Sequence, residues 1–350
     1  MNSTTGRRVR SLLSGAIAIV IIVAVFVFIL PKVADYHQVG HALSSLTPGW
    51  LFVLLIATIL NVATYAPNWM AALPGLGYRQ SLEVAMAGTA VSNVAPLGGA
   101  VSLPMQFAMF RAWGFERNDV SRAVVLTGVW NNVVNLAMPL LGLLVLTIRG
   151  GKNAALQTAA QIGGVVLLIV LFVFWTVLRS EAGARKVGGL VERIRRPIAK
   201  LRKRPEPTGV QEAFARFRAE SIDLIRRRWL ALTVSTVGGV LLVYAVLAVA
   251  LRAVGVRGDQ VTFSEAFAAW ASTRLLSTAF PVTPGGLGII EIGLTGALVG
   301  FGGSKGAVVA AVLLYRLLTY LPPIVLGGIA FLTWRRHGGR SEAVSLLGEN

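Results

Sequence analysis

Three charged residues stand where charge is costly. Arg274, Glu291 and Arg316 each interrupt a strongly apolar stretch in the second half of the chain. A charged side chain at the centre of a membrane helix costs about 2.5–3.5 kcal/mol on insertion scales. Such groups face a bundle interior or a wet cavity, and pair with one another. Glu291 follows Pro284 by seven residues, roughly 10 Å of helix. It can pair with Arg274 or with Arg316. Such a pair would either hold the bundle together or bind a substrate or proton. Between Arg274 and Glu291 runs Phe280-Pro281-Val282-Thr283-Pro284-Gly285-Gly286-Leu287-Gly288. Thr283 and Pro284 form an N-cap and first-turn pair. A helix starting there would aim free N–H groups at mid-membrane. Gly285, Gly286 and Gly288 put no side chain in the way, which suits an anion such as phosphate. The glycines equally suit close helix packing.

An earlier segment offers a neutral version of the same pattern. Pro96, Gly98 and Gly99 break an apolar region, Ser102 precedes Pro104 as an N-cap candidate, and Asn131 and Asn132 follow in the next helix. No nucleophile–base pair or Walker loop is present, and no catalysis is expected. There is no Cys, which excludes disulfides and thiolate sites. His37 and His41 have helical metal spacing but only Asp35 nearby, so no metal or other cofactor is expected.

These residues need a membrane to position them. Of 350 residues, 55% are hydrophobic and 14% charged, and the mean hydropathy is +0.70. Soluble chains carry about 25% charged residues. A span needs roughly 20 apolar residues. Six segments qualify: Leu12–Leu30, Trp50–Leu73, Ala123–Ile148, Thr158–Leu178, Trp229–Leu251 and Ala307–Trp334. The first is read as an uncleaved helix, since no small-residue cleavage site follows it. Gln80–Arg111 and Thr262–Gly300 are each broken at their Pro/Gly centre into halves too short to span. They are expected to be re-entrant hairpins, whose irregular tips must be buried in protein or line water.

With the N-terminus inside, 25 basic residues fall on inner segments and six on outer ones. This bias puts both termini in the cytoplasm of a cell-membrane protein. It also absorbs the net charge of +18, so nucleic acid is not an expected partner. Fifteen of the basic residues lie in the cytoplasmic loop 179–228. Lys203-Arg204-Pro205-Glu206-Pro207 should divide that loop into two surface helices, which either attract anionic lipid or only set topology.

The two broken regions resemble each other. Pro96-Leu97-Gly98-Gly99 precedes Pro284-Gly285-Gly286 by 188 residues, and Gly114-Phe115 precedes Gly300-Phe301 by 186. Each unit reads span, span, hairpin, span. Three spans per unit invert the second, a transporter pattern with its site at the repeat interface. The expected fold is all-α: six transmembrane helices and two re-entrant hairpins in an inverted repeat. It forms one membrane domain over 1–340, with repeat one at 12–148, repeat two at 158–334 and a cytoplasmic tail at 341–350.

Pro284-Gly285-Gly286-Leu287-Gly288-Ile289-Ile290-Glu291, then Tyr315-Arg316, Tyr320-Leu321-Pro322-Pro323 and Gly327-Gly328, resemble the lysylphosphatidylglycerol synthase transmembrane family. The resemblance covers roughly 45–335. It implies flipping of an anionic phospholipid or lipid-linked precursor between leaflets, and it adds Tyr315 to the site. The aminoacyl-transferase domain of full-length synthases is not found after Trp334, so lysyl transfer is not expected. Many relatives carry Gly-Glu in the first repeat, where this chain has Ala100-Val101-Ser102. A symmetric pair of carboxylates is therefore not expected. Two other functions fit the same residues. One is a scaffold presenting lipid to a partner synthase or glycosyltransferase; the other is a secondary transporter of a small solute or ion.

Overall fold

The computed structural model describes residues 44, 46–95, 98–148, 165, 168–169, 171–201, 209–279 and 284–336. The expected span Leu12–Leu30, ten of the 21 residues of Thr158–Leu178, and the tip residues Pro96 and Thr283 lie outside them.

The first described helix, α1 (Pro48–Ala63), starts where Thr47 Oγ1 accepts from the Trp50 N–H at 3.5 Å and Pro48 takes the first turn. It breaks at Thr64, whose hydroxyl donates to the Asn61 carbonyl at 2.7 Å, and resumes as α2 (Tyr65–Ala72). Two short helices follow, α3 (Tyr78–Val94) and α4 (Gly98–Ala112), and then the long α5 (Arg117–Ile148). Helix α6 (171–179) leads into α7 (Glu181–Leu201) and α8 (Val210–Ala253). Helix α9 (Phe263–Ala279) opens on a reciprocal cap: the Glu265 carboxylate accepts from the Thr262 N–H at 2.8 Å, and Thr262 Oγ1 accepts from the Glu265 N–H at 3.3 Å. A turn of 3₁₀ helix (Pro284–Gly286) separates it from α10 (Ile289–Gly300), and α11 (Lys305–Arg336) closes the fold.

Four stretches are long and apolar enough to cross a membrane: Pro48–Ala72, Arg117–Leu146, Ser221–Ala253 and Lys305–Trp334. Helix α1 turns Leu51, Phe52, Leu55 and Ile59 outward and buries Leu54, Ala57, Thr58 and Asn61. Such an apolar outer face belongs in lipid, since soluble chains rarely expose large apolar patches. The protein is an all-helical, multi-pass membrane protein.

Each broken region folds as two short helices packed together, α3 on α4 and α9 on α10. Each also packs on a long helix from the other half of the chain, α3 on α11 and α9 on α5. Glycine permits both close crossings. A Cβ on Gly327 would lie 2.3 Å from the Met86 carbonyl oxygen, and one on Gly142 would lie 2.9 Å from Ala268 Cα. Helix α8 contacts α1, α2, α5 and α11 and ties the halves together.

The basic segment departs from expectation. Helix α7 is the first of the two expected surface helices, but the second is not separate. Residues 210–228 form the start of the 44-residue α8, which runs unbroken into the apolar span. No Pro or Gly occurs from Val210 to Val237 to stop it.

Candidate functional site: a polar cavity among apolar helices

Of the three charged residues, Glu291 and Arg316 form an ion pair, and Arg274 takes partners on other elements. Glu291 sits in the first turn of α10. Its Oε1 accepts from Arg316 Nε at 2.5 Å, and its Oε2 accepts from the Gly288 N–H at 2.6 Å. Arg316 Nη2 donates to the Gly285 carbonyl at 3.1 Å, and its guanidinium lies over the Tyr320 ring at 4.1 Å. The two ionic side chains are only 9% and 10% exposed. Helix α11 thereby clasps the glycine turn through Arg316, with Tyr320 also packed against Gly285.

That turn differs from the expected helix start at Pro284. Gly285, Gly286 and Gly288 have φ of 53°, 72° and 85°. This left-handed backbone is open to glycine and cannot continue a right-handed helix. Helix α10 therefore begins only at Ile289, and the Glu291 carboxylate already caps the Gly288 N–H. No α-helix therefore starts at Pro284 to present its first-turn amides there. Ser102 is also not an N-cap. Helix α4 starts at Gly98 and carries Pro104 inside it, while the Ser102 hydroxyl donates to the Gly99 carbonyl at 3.0 Å.

Arg274 on α9 reaches across to α5, donating from Nη2 to Asn135 Oδ1 at 3.3 Å. Its guanidinium stacks over the Trp270 ring at 5.1 Å. Trp270 Nε1 in turn donates to the Tyr315 hydroxyl at 3.0 Å, linking α9 to α11.

These groups border a cavity of about 400 Å³, within the usual range of roughly 300–1,000 Å³ for ligand pockets. From the C-terminal half it is lined by Arg274, Gly285, Tyr315, Arg316, Thr319 and Tyr320. From the N-terminal half come Thr89 and Asn93 on α3, Gln106 on α4 and Asn131 on α5. The α1–α2 break contributes Thr64, Tyr65 and Asn68, and α8 contributes Ser235 and Thr236. The Thr236 hydroxyl donates to Asn68 Oδ1 at 3.3 Å, and Asn131 Nδ2 donates to the Thr127 carbonyl at 2.9 Å. Among the described residues, no Asp or Glu lines this space.

Five of the expected residues thus share one cavity: Asn131, Arg274, Gly285, Tyr315 and Arg316. Glu291 stands behind Arg316. Gly286 is buried and Gly288 half-buried; they shape the turn without lining the cavity. Gly98 serves packing, since a Cβ there would meet Ser92 Cα at 2.5 Å. Gly99 faces open space. Pro284 opens the 3₁₀ turn. The neutral polar residues Thr64, Asn68, Thr89, Asn93, Gln106 and Thr236 were not anticipated. Their one signal is spacing: Thr64 with Asn68, and Thr89 with Asn93, are four apart and share a helix face.

Comparison with known proteins agrees with the membrane architecture. No curated protein matches the chain. The family model for the lysylphosphatidylglycerol synthase TM region matches residues 15–327. That match spans both halves of the fold and reaches well into α11, so the chain belongs to the lysylphosphatidylglycerol synthase transmembrane-region family, a membrane family related to lipid metabolism or transport.

Proposed function

We propose that the protein moves an anionic phospholipid or lipid-linked precursor between leaflets, with the head group held in the central cavity. One observation carries the proposal: two guanidinium groups and a ring of hydroxyls and amides converge on one space inside an otherwise apolar bundle. Polar groups are costly in hydrocarbon, and intramembrane ionisable residues mark substrate pathways. The reading assigns no chemical step to the protein.

The packing pattern supports an alternating mechanism. Each pair of short helices packs on the long helix that closes the opposite half, through Gly142 in one case and Gly327 in the other. This exchange is what an inverted repeat with two re-entrant hairpins produces, and rocking of one half against the other would expose the cavity to each leaflet in turn. In this proposal the membrane is crossed six times, both termini are cytoplasmic, and the bilayer is the cell membrane.

A second reading has its own support. The lining is so polar that a small soluble solute would be equally well satisfied there. A scaffold serving a synthase or glycosyltransferase would need no such cavity. Redistribution of labelled phosphatidylglycerol in sealed vesicles separates these readings. Wild type should accelerate flipping, and folded Arg274→Gln should not. Acceleration by both proteins would refute the cavity as the route, and acceleration by neither would favour scaffolding or a soluble solute.

A further inference from the structure

The first-half wall of the cavity holds neutral polar groups that the fold leaves unused. Gln106 on α4 is only 8% exposed and lines the cavity, yet its side-chain amide has no hydrogen-bond partner among the described residues. Its position depends on Gly88 on α3, where a Cβ would overlap Gln106 Nε2. The hydroxyls of Tyr65 and Thr89 and the amide of Asn93 line the same space and are likewise unengaged among the described residues. Asn68 uses its Oδ1 on Thr236, and Asn131 uses its Nδ2 on the Thr127 carbonyl, which leaves Asn68 Nδ2 and Asn131 Oδ1 over. Polar groups withdrawn from water cost free energy unless something bonds them.

The chemistry of these groups selects their partner. Amide nitrogens donate, amide oxygens accept, and hydroxyls do both. An ionised phosphate only accepts and an ammonium only donates, so neither satisfies the whole set, whereas ligand hydroxyls satisfy every member of it. The six residues come from α2, α3, α4 and α5 and surround the space; a glycerol group has too few hydroxyls to engage them all. Tyr65 and Trp69 add ring surface against which the C–H faces of a cyclic polyol can pack, and Trp69 is held by Phe110 with ring centroids 5.1 Å apart. Resting on the head-group reading of this same cavity, we infer that the head group carries a polyhydroxylated ring, a sugar or a cyclitol, whose hydroxyls are recognised by the neutral first-half wall.

Binding tests this independently of transport. Full-length protein in detergent is titrated with phosphatidylinositol, with phosphatidylglycerol of the same acyl chains and the same charge, and with soluble inositol 1-phosphate. Phosphatidylinositol should bind at least about tenfold tighter than phosphatidylglycerol, one decade being about 1.4 kcal/mol. Gln106→Met keeps the length of the side chain but removes its donor and acceptor, and should narrow that ratio to about threefold or less. Asn93→Leu makes the same test if Gln106→Met does not fold. Equal or tighter binding of phosphatidylglycerol by wild type would overturn the inference and leave the lipid reading standing. An unchanged ratio in a folded variant, or no binding of any of the three probes, would also overturn it. Binding of inositol 1-phosphate without phosphatidylinositol would uphold recognition of the polyol while overturning the lipid reading.

Discussion

Glu291→Gln is the sharpest probe of the site's architecture. The carboxylate accepts from two donors on different elements, Arg316 Nε at 2.5 Å and the Gly288 N–H at 2.6 Å. A glutamine amide keeps one acceptor oxygen, which can still serve Gly288. It then presents an NH₂ to Arg316, so two donors face each other. A hydrogen bond to a charged group is worth about 1.5–3 kcal/mol. Leaving its charged partner buried and uncompensated raises the total to about 3–5 kcal/mol. Arg316 retains the Gly285 carbonyl and the Tyr320 ring, which places the cost toward the lower end. The melting temperature of purified protein should fall by at least about 5 °C. Arg316→Met in the same background removes the stranded charge while the glutamine still caps Gly288. The double variant should recover at least about 1 kcal/mol relative to the sum of the single losses. Additivity to within about 0.5 kcal/mol would refute the coupling inferred from the geometry.

Two further expectations follow from packing and topology. Gly327→Val should destabilise the fold by more than about 2 kcal/mol through overpacking against the Met86 backbone, whereas Gly99→Ala, which meets nothing within 4 Å, should change the melting temperature little. The sequence has no Cys, so single introduced cysteines report sidedness cleanly. Exposed Ser304→Cys should react in intact cells and exposed Asn118→Cys only after permeabilisation; the reverse pattern would refute the proposed orientation. Gly303 is unsuited to this experiment because a Cβ there would lie 2.5 Å from Val308 Cγ2.

Long-period features were legible in the sequence because they follow from solvent. The four described spans and the two broken regions come from hydrophobic runs and their Pro/Gly interruptions. Arg274, Glu291 and Arg316 stood out because charge within such runs is rare. Other features were decided by tertiary geometry. The sequence alone left Glu291 with two candidate partners, and the placement of α11 against the glycine turn selects Arg316. Thr283-Pro284 reads as a helix start in isolation, yet three left-handed glycines delay the helix to Ile289. Pro104 reads as a first-turn residue but lies inside α4, which starts at Gly98. Thr64, Asn68, Thr89, Asn93 and Gln106 are unremarkable singly, because one neutral polar residue costs a membrane helix little. Only the crossing of several helices gathers them into one lining.

The continuity of α8 has a mechanical consequence. At 1.5 Å per residue its 44 residues form a rod about 66 Å long, roughly twice the thickness of the hydrocarbon layer. Ser235 and Thr236 touch the cavity slightly past its middle, while its first turns, about 35–40 Å away, carry the basic helix α7. A tilt of about 5° pivoting at the cavity would swing that far end by about 3 Å. The rod is therefore a lever whose long arm reaches the basic helix α7, so that a force applied there would be felt at the cavity wall.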